Sequence, residues 1–343
     1  MIVTEMVLPA IGEPETLQLR RRELPLPAAG EVMIRIEATG VSFAETSMRR
    51  GRYPGQPVFP FVPGYDLVGV VESLGPNVVN VSVGQRIAVV TKIGAWADYI
   101  VLPATDLTPV PDGVAADAAE TAVVNGITAW QMLHGLAHVR AGQTILVHGA
   151  SGGVGGLLVQ LAQAAGVRVI GTTSSAKLAA LRALGAEALD YRSEDLVAQV
   201  LAHAPGGVDA VFDHLGGASL HASWRMLAPG GTLVSYGLAL LRDSDISMVG
   251  AFIPHLTRVY LWNLLPNGRH AYFYNFWGGK LLRPRAFQRE LRAALTQVFA
   301  LLAQGRIQAQ VARRLPLTRA AEALRLAESG TISGKVVLVP GLE

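Results

Sequence analysis

The passage TILVHGASGGVGGLLVQLAQAAGVRVIGTT, residues 144–173, constrains this chain more than any other. An apolar strand signal over Thr144–His148 runs straight into a glycine-rich turn. A helix follows at once over Gly153–Ala165, with Val154, Leu157, Leu158 and Leu161 on one face. A second strand, Arg168–Gly171, and a second helix, Ala176–Leu184, continue the alternation, and Val208–Phe212 and Thr232–Tyr236 read as further strands. Repeated strand–helix units predict a doubly wound parallel sheet.

The turn Gly149-Ala150-Ser151-Gly152-Gly153-Val154-Gly155 has the chemistry of a pyrophosphate cradle. Early glycines allow a tight turn and close approach of backbone, and Gly155 or Gly156 lets the helix pack on its strand. The helix start offers N–H groups and a partial positive charge, which marks Ser151, Gly152, Gly153 and Val154 as phosphate contacts. The spacing departs from plain G-x-G-x-x-G, because Ala150 lies between Gly149 and Ser151. An NAD site places an acid at the end of the second strand, ~20 residues past the first glycines. Here the chain reads Gly171-Thr172-Thr173-Ser174-Ser175-Ala176-Lys177, without a carboxylate. Thr173, Ser174 and Lys177 suit a 2′-phosphate, so NADPH is the expected cofactor. An ordinary helix start capped by Ser174 or Ser175 explains the same residues.

Residues 1–118 read differently. Glu31–Ala38 alternates with Val32, Ile34 and Ile36 on one face, Leu67–Leu74 follows, and Gly/Pro turns punctuate the stretch. This predicts a β-rich domain over 1–118, a dinucleotide domain over 119–279, and a closing segment over 280–343 with a helix at Phe287–Leu302 and a strand at Lys335–Val339. Half of the 343 residues are hydrophobic and cysteine is absent, which excludes disulfides, thiol nucleophiles and Cys-ligated metal. Of 29 basic residues 25 are Arg, and their scatter does not read as a nucleic-acid surface. No transmembrane run and no secretory leader are apparent, so a cytoplasmic protein is expected.

The passage VSFAETSMRRGRYPGQPVFPFVPGYDLVGVVESLG (residues 41–75), the GASGGVG loop and the ending SGKVVLVP (333–340) resemble the quinone oxidoreductase branch of the medium-chain dehydrogenase/reductases. The resemblance covers nearly the whole chain. It implies a GroES-like catalytic domain built from both chain ends, an inserted Rossmann domain and a homodimer. It also implies that Lys177 and Tyr191 lie near the 2′-phosphate, and that Asn125, Thr128, Gly237 and Lys335 contact the cofactor. Zinc alcohol dehydrogenases of the same superfamily carry a Cys where this chain has Ser42 or Phe43, and a His–Glu pair where it has Tyr65-Asp66. A zinc-independent enzyme is therefore expected.

Without metal, hydride must go to an acceptor that is already electrophilic, such as a quinone or an α,β-unsaturated carbonyl. Tyr53 in GRYPG resembles an active-site Tyr of the family, able to donate to the acceptor oxygen, or it is a turn aromatic packed beside Pro54. Glu45 and Ser42 stand where family members often carry Asp and Asn; either a proton donor or a structurally bonded Glu45 fits. The aromatic stretch 251–280, which includes Trp262, Tyr272, Phe273, Tyr274, Phe276 and Trp277, reads as core, dimer interface, pocket rim or membrane-adhering patch. Two alternatives remain: an enoyl-thioester reductase, for whose phosphates only the cluster Arg49, Arg50 and Arg52 qualifies, and a non-catalytic NADPH-binding protein. His134 and His138, four apart, read as a surface pair.

Overall fold

The computed structural model describes residues 1–239 and 248–342. Contacts among them divide the chain into two units, residues 1–127 with 285–343 and residues 128–284.

The first unit begins with an antiparallel ribbon of β1 (Ile2–Val7) and β2 (Gln18–Glu23). Strands β3 (Glu31–Val41), β4 (Asp66–Leu74), β5 (Arg86–Val90), β6 (Tyr99–Pro103) and β7 (Thr108–Pro109) then build most of a twisted sheet. The alternation in β3 sends Val32, Ile34 and Ile36 into one core with Leu67, Val71 and Ile87. Met33, on the opposite face, is buried as well, against Val3 of β1 and Leu24. The ribbon covers what the alternation alone would leave wet. Helix α1 (Phe43–Arg49) leaves β3 directly, and α2 (Ala116–Trp130) contains the chain's passage from the first unit to the second. The change of sequence rhythm at 118/119 therefore falls within the first turn of a helix.

The second unit is an alternating fold. Strand β8 (Thr144–Val147) leads to α3 (Gly153–Ala164), β9 (Arg168–Thr173), α4 (Leu178–Ala183), β10 (Glu187–Asp190) and α5 (Leu196–His203). Then follow β11 (Val208–Asp213), α6 (Ala218–Met226), β12 (Leu227–Ser235), α7 (Met248–Trp262) and β13 (His270–Phe273). The parallel sheet has the order β10-β9-β8-β11-β12-β13. Burial in β8 and β9 is nearly continuous because helices cover both faces. Leu146, Ile170, Val211 and Leu233 pack on one face with Val200, Trp224 and Val259. The helix expected from Ala176 starts two residues later, after a short 3₁₀ turn at Ser175–Lys177.

The chain returns to the first unit through α8 (Pro284–Ala303), β14 (Val311–Pro316), α9 (Ala320–Glu328) and β15 (Lys335–Val339). Strand β15 pairs with β3, so both chain ends build one sheet. Among the described residues no helix is long and apolar enough to cross a membrane.

Candidate active site

In the second unit, β8 has β9 on one side and β11 on the other, and the chain leaves it in opposite directions. A ligand crevice forms outside the carboxyl ends of strands at such a point. The glycine turn lies there. Gly149 has φ +62°, and a methyl group on it would overlap Cε1 of His214, the residue that follows β11. A methyl group on Gly155 would overlap the Gly149 carbonyl, so these two glycines let turn, helix and neighbouring strand close together. Gly152 opens α3 without a side-chain cap, which turns the first N–H groups of a 12-residue helix toward whatever anion the turn holds.

The loop is fixed to β9: Ala150 N donates to Thr172 O at 2.9 Å, and the Ser151 and Thr173 hydroxyls lie 2.7 Å apart. Beneath it His148 is buried, with Nδ1 3.1 Å from Thr172 Oγ1 and Nε2 3.0 Å from Ser223 Oγ. Ser223 donates to Asp213 at 2.7 Å, and Asp213 also accepts from Ser219 Oγ and from the N–H groups of Leu215 and Gly216. Burial lowers the His148 pKa, so a neutral ring belongs here. The His214 ring, 5.8 Å from that of Tyr236, is pushed down to about 4 by burial, and its Nδ1 has no hydrogen-bond partner. Gly237 completes this wall, since a Cβ there would come within 2.8 Å of His214 O.

At the end of β9, Asp190 pairs with Thr173, and Tyr191 N donates to Thr173 O at 3.0 Å. Tyr191 thus comes beside the Thr173–Lys177 segment. It is 46% exposed, with the Arg192 guanidinium 5.3 Å from its ring centroid and Arg192 Nε donating to its hydroxyl at 3.1 Å. Arg192, which sequence reasoning passed over, is a cation held against Tyr191. Burial lowers the Lys177 pKa. The Ser174 side chain makes no cap, so the capped-helix explanation of this residue fails.

In the first unit a polar cluster gathers where β3 meets α1. Ser42 caps α1: its Oγ accepts from Ala44 N at 3.1 Å, and Ser42 N donates to Glu45 at 2.8 Å, a capping box. Glu45 is buried and reaches across to Tyr65 N at 2.7 Å. The Tyr65 hydroxyl lies beside that of Tyr53, and Lys92 Nζ sits 5.7 Å from the Tyr53 ring centroid. Tyr53 is therefore tied into the cluster rather than merely packed beside Pro54. Tyr65 was missed in the sequence; its place directly before Asp66 was the available signal.

Lys335 lies among buried carboxylates. It is 3% exposed, and its ammonium donates to both Asp66 oxygens at 3.0 and 2.8 Å and to Glu120 at 2.7 Å. All three of its N–H donors are engaged with these buried carboxylates. Burial opposes its charge, but Asp66 and Glu120 outweigh this and keep its pKa raised. Glu120 is pushed well up, chiefly by burial, and its Oε2 has no donor. Gly40 makes room, since a side chain there would overlap Lys335 and Glu120. Asn125 and Thr128 lie buried one turn apart on α2.

The basic cluster expected at 49–52 is reassigned in part: Arg49 and Arg50 both bind Glu328, and Arg49 adds Gly12 O at 2.5 Å. Among the aromatics of 251–280, Trp262 stacks on Trp224 at 4.8 Å, Phe273 meets Phe252 edge to face, and Tyr274 donates to Gln131 at 2.7 Å. Trp262 and Phe273 are partly buried against the core of the second unit, while Tyr272 is exposed. The His134 ring lies tilted against that of Trp130, centroids 4.3 Å apart, and among the described residues no group of three His, Asp or Glu could hold a metal.

Comparison with known proteins agrees with this architecture. Residues 28–112 match the alcohol dehydrogenase GroES-like domain, and residues 184–338 match a family described as zinc-binding dehydrogenase. A quinone oxidoreductase of Pseudomonas aeruginosa is 33% identical over 335 residues, 96% of this chain and 98% of that one. The synaptic vesicle membrane protein VAT-1 homolog of Danio rerio is 30% identical over 97% of this chain and 69% of its own. Escherichia coli quinone oxidoreductase, solved with NADPH, superposes with a TM-score of 0.85 at 26% identity, covering 98% of this chain and 100% of that one. The chain belongs to the quinone oxidoreductase branch of the medium-chain dehydrogenase/reductases.

Proposed function

We propose that this protein binds NADPH and reduces a quinone or another α,β-unsaturated carbonyl without a metal. The observation that carries the reading is the glycine turn at the sheet's switch point, joined to a β9 end that bears hydroxyls and cations in place of an acid. Ser151, Gly152, Gly153 and Val154 hold the pyrophosphate, with Gly237 lining the neighbouring wall. Thr173, Ser174, Lys177 and Tyr191 face the 2′-phosphate, with Arg192 as a further cation, and Asn125 and Thr128 orient the nicotinamide half. The bound cofactor supplies hydride. Tyr53 donates to the acceptor oxygen on which charge develops, at a hydroxyl polarised by Tyr65. Metal independence is supported by Asp66, where zinc enzymes carry Glu, being bound to Lys335 and to Val124 N at 2.9 Å. A homodimer through the edge strand β13 completes the reading.

The test is titration with NADPH and NADH, followed by nicotinamide fluorescence, for wild type, Lys177→Ala and Arg192→Ala, then an acceptor screen starting from quinones. A preference for NADPH that both variants weaken, with turnover of a quinone or enone, supports the reading. Equal binding of the two cofactors overturns the 2′-phosphate assignment. NADPH binding without turnover leaves a non-catalytic binder.

A further inference from the structure

Glu45 is 2% exposed and Ser42 is half-buried, so the acid lies behind the hydroxyl. Oε1 of Glu45 accepts from Tyr65 N at 2.7 Å, and Oε2 accepts from Ser42 N at 2.8 Å and makes a very short contact with Ser42 Oγ. Ser42 Oγ also accepts from Ala44 N at 3.1 Å. Both protonation states of the pair are satisfied by this geometry. With Glu45 ionised, the Ser42 O–H donates to it. With Glu45 protonated, Oε2 donates to Ser42 Oγ, whose lone pairs are then taken by Glu45 and Ala44 N, and the Ser42 O–H turns to a third group. A capping box needs none of this burial.

We propose that the Ser42 hydroxyl delivers the proton that completes the reduction and is refilled from Glu45 behind it. The proposal rests on the reductase reading above. In an enone the β-carbon gains the hydride, the π electrons move to leave an enolate, and the cofactor ends as NADP⁺. The Ser42 O–H bond then breaks toward the enolate α-carbon while the Glu45 O–H bond breaks toward Ser42 Oγ. Glu45 is left as a carboxylate and regains one proton from water through Ser42. Burial chiefly, with Asp66 adding to it, pushes the Glu45 carboxyl up to about 7, which lets it hold a proton at neutrality. Asp66 on β4 in turn shares its environment with Lys335 on β15 and Glu120 on α2, and Tyr65 and Tyr53 complete the surroundings.

The experiment combines two readouts on wild type, Glu45→Gln and Ser42→Asn. One is the pH profile of kcat with an enone at saturating NADPH, in H₂O and D₂O. The other is infrared titration of the carboxyl band without cofactor. Wild-type kcat is expected to fall about tenfold per pH unit above about 7, with a solvent isotope effect and a carboxyl band that titrates in the same range. Glu45→Gln should lack that band and lose the pH limb with at least about a tenfold drop in kcat. Ser42→Asn, which still caps α1, should lose rate while the band persists. Should Glu45→Gln fail to fold, the wild-type band and Ser42→Asn decide. Wild-type rate and limb in both variants, or a carboxyl ionised throughout, overturns the relay and leaves the reductase reading intact. NADPH binding with no turnover on any acceptor overturns both.

Discussion

The hydroxyl oxygens of Tyr53 and Tyr65 lie 2.8 Å apart, their rings edge to face at 75° with centroids 6.2 Å apart. A Tyr65 hydroxyl that donates to Tyr53 makes the Tyr53 O–H a stronger donor. Tyr53→Phe is expected to lower kcat by about 10²-fold, the usual cost of one lost donor to a developing oxyanion. Tyr65→Phe, which removes the polarising hydroxyl, should cost roughly tenfold, or about 1.4 kcal/mol. Steady-state kinetics with one acceptor checks the order; a larger loss for Tyr65→Phe would reverse the assigned roles.

Lys335→Met should be among the most damaging substitutions in the first unit. It leaves Asp66 and Glu120 buried without their cation. Breaking one side of such a pair costs about 3–5 kcal/mol. Urea unfolding should show a lower midpoint with an unchanged slope.

Alanine at Gly149 or Gly155 should abolish tight NADPH binding. The first sets a methyl group against His214 at a positive φ, the second against the Gly149 carbonyl, and either displaces the turn. Fluorescence titration measures the loss. Gly142→Ala, at a turn with open space but also positive φ, should cost only about 1 kcal/mol of stability and leave binding near wild type.

The buried acid also gives stability a pH dependence of definite sign. Glu45 has its pKa raised in the folded protein, from 4.5 to about 7, so it takes up protons more readily folded than unfolded. Its contribution is complete below 4.5 and is lost as pH rises toward 7, by about 3 kcal/mol across that window. Unfolding free energies near both ends should differ by less in Glu45→Gln than in wild type.

The second unit was legible in the sequence because its signals are local: apolar strands, a glycine turn and helices at a period of 3.6, all within thirty-odd residues. Thr173, Lys177 and the glycines could be placed from these alone. The partners of Lys335 were not legible, because Asp66 and Glu120 lie more than 200 residues away along the chain, and only the pairing of β15 with β3 brings them together. Tyr65 escaped for the same kind of reason. Its hydroxyl partner, Tyr53, lies across a turn whose geometry no periodicity encodes. The second face of β3 was hidden because its cover, the β1–β2 ribbon, is a separate element.

His148 joins Thr172 at the end of β9 to Ser223 on α6, and through Ser223 to the Asp213 carboxylate that shapes the loop after β11. Thr172 also anchors the glycine turn through its carbonyl. The floor beneath the glycine turn is thus braced from three directions. Such preorganisation lowers the ordering entropy that a binding event must overcome. Loosening the brace at His148 would therefore show calorimetrically, as a less favourable entropy of NADPH association with its enthalpy largely kept.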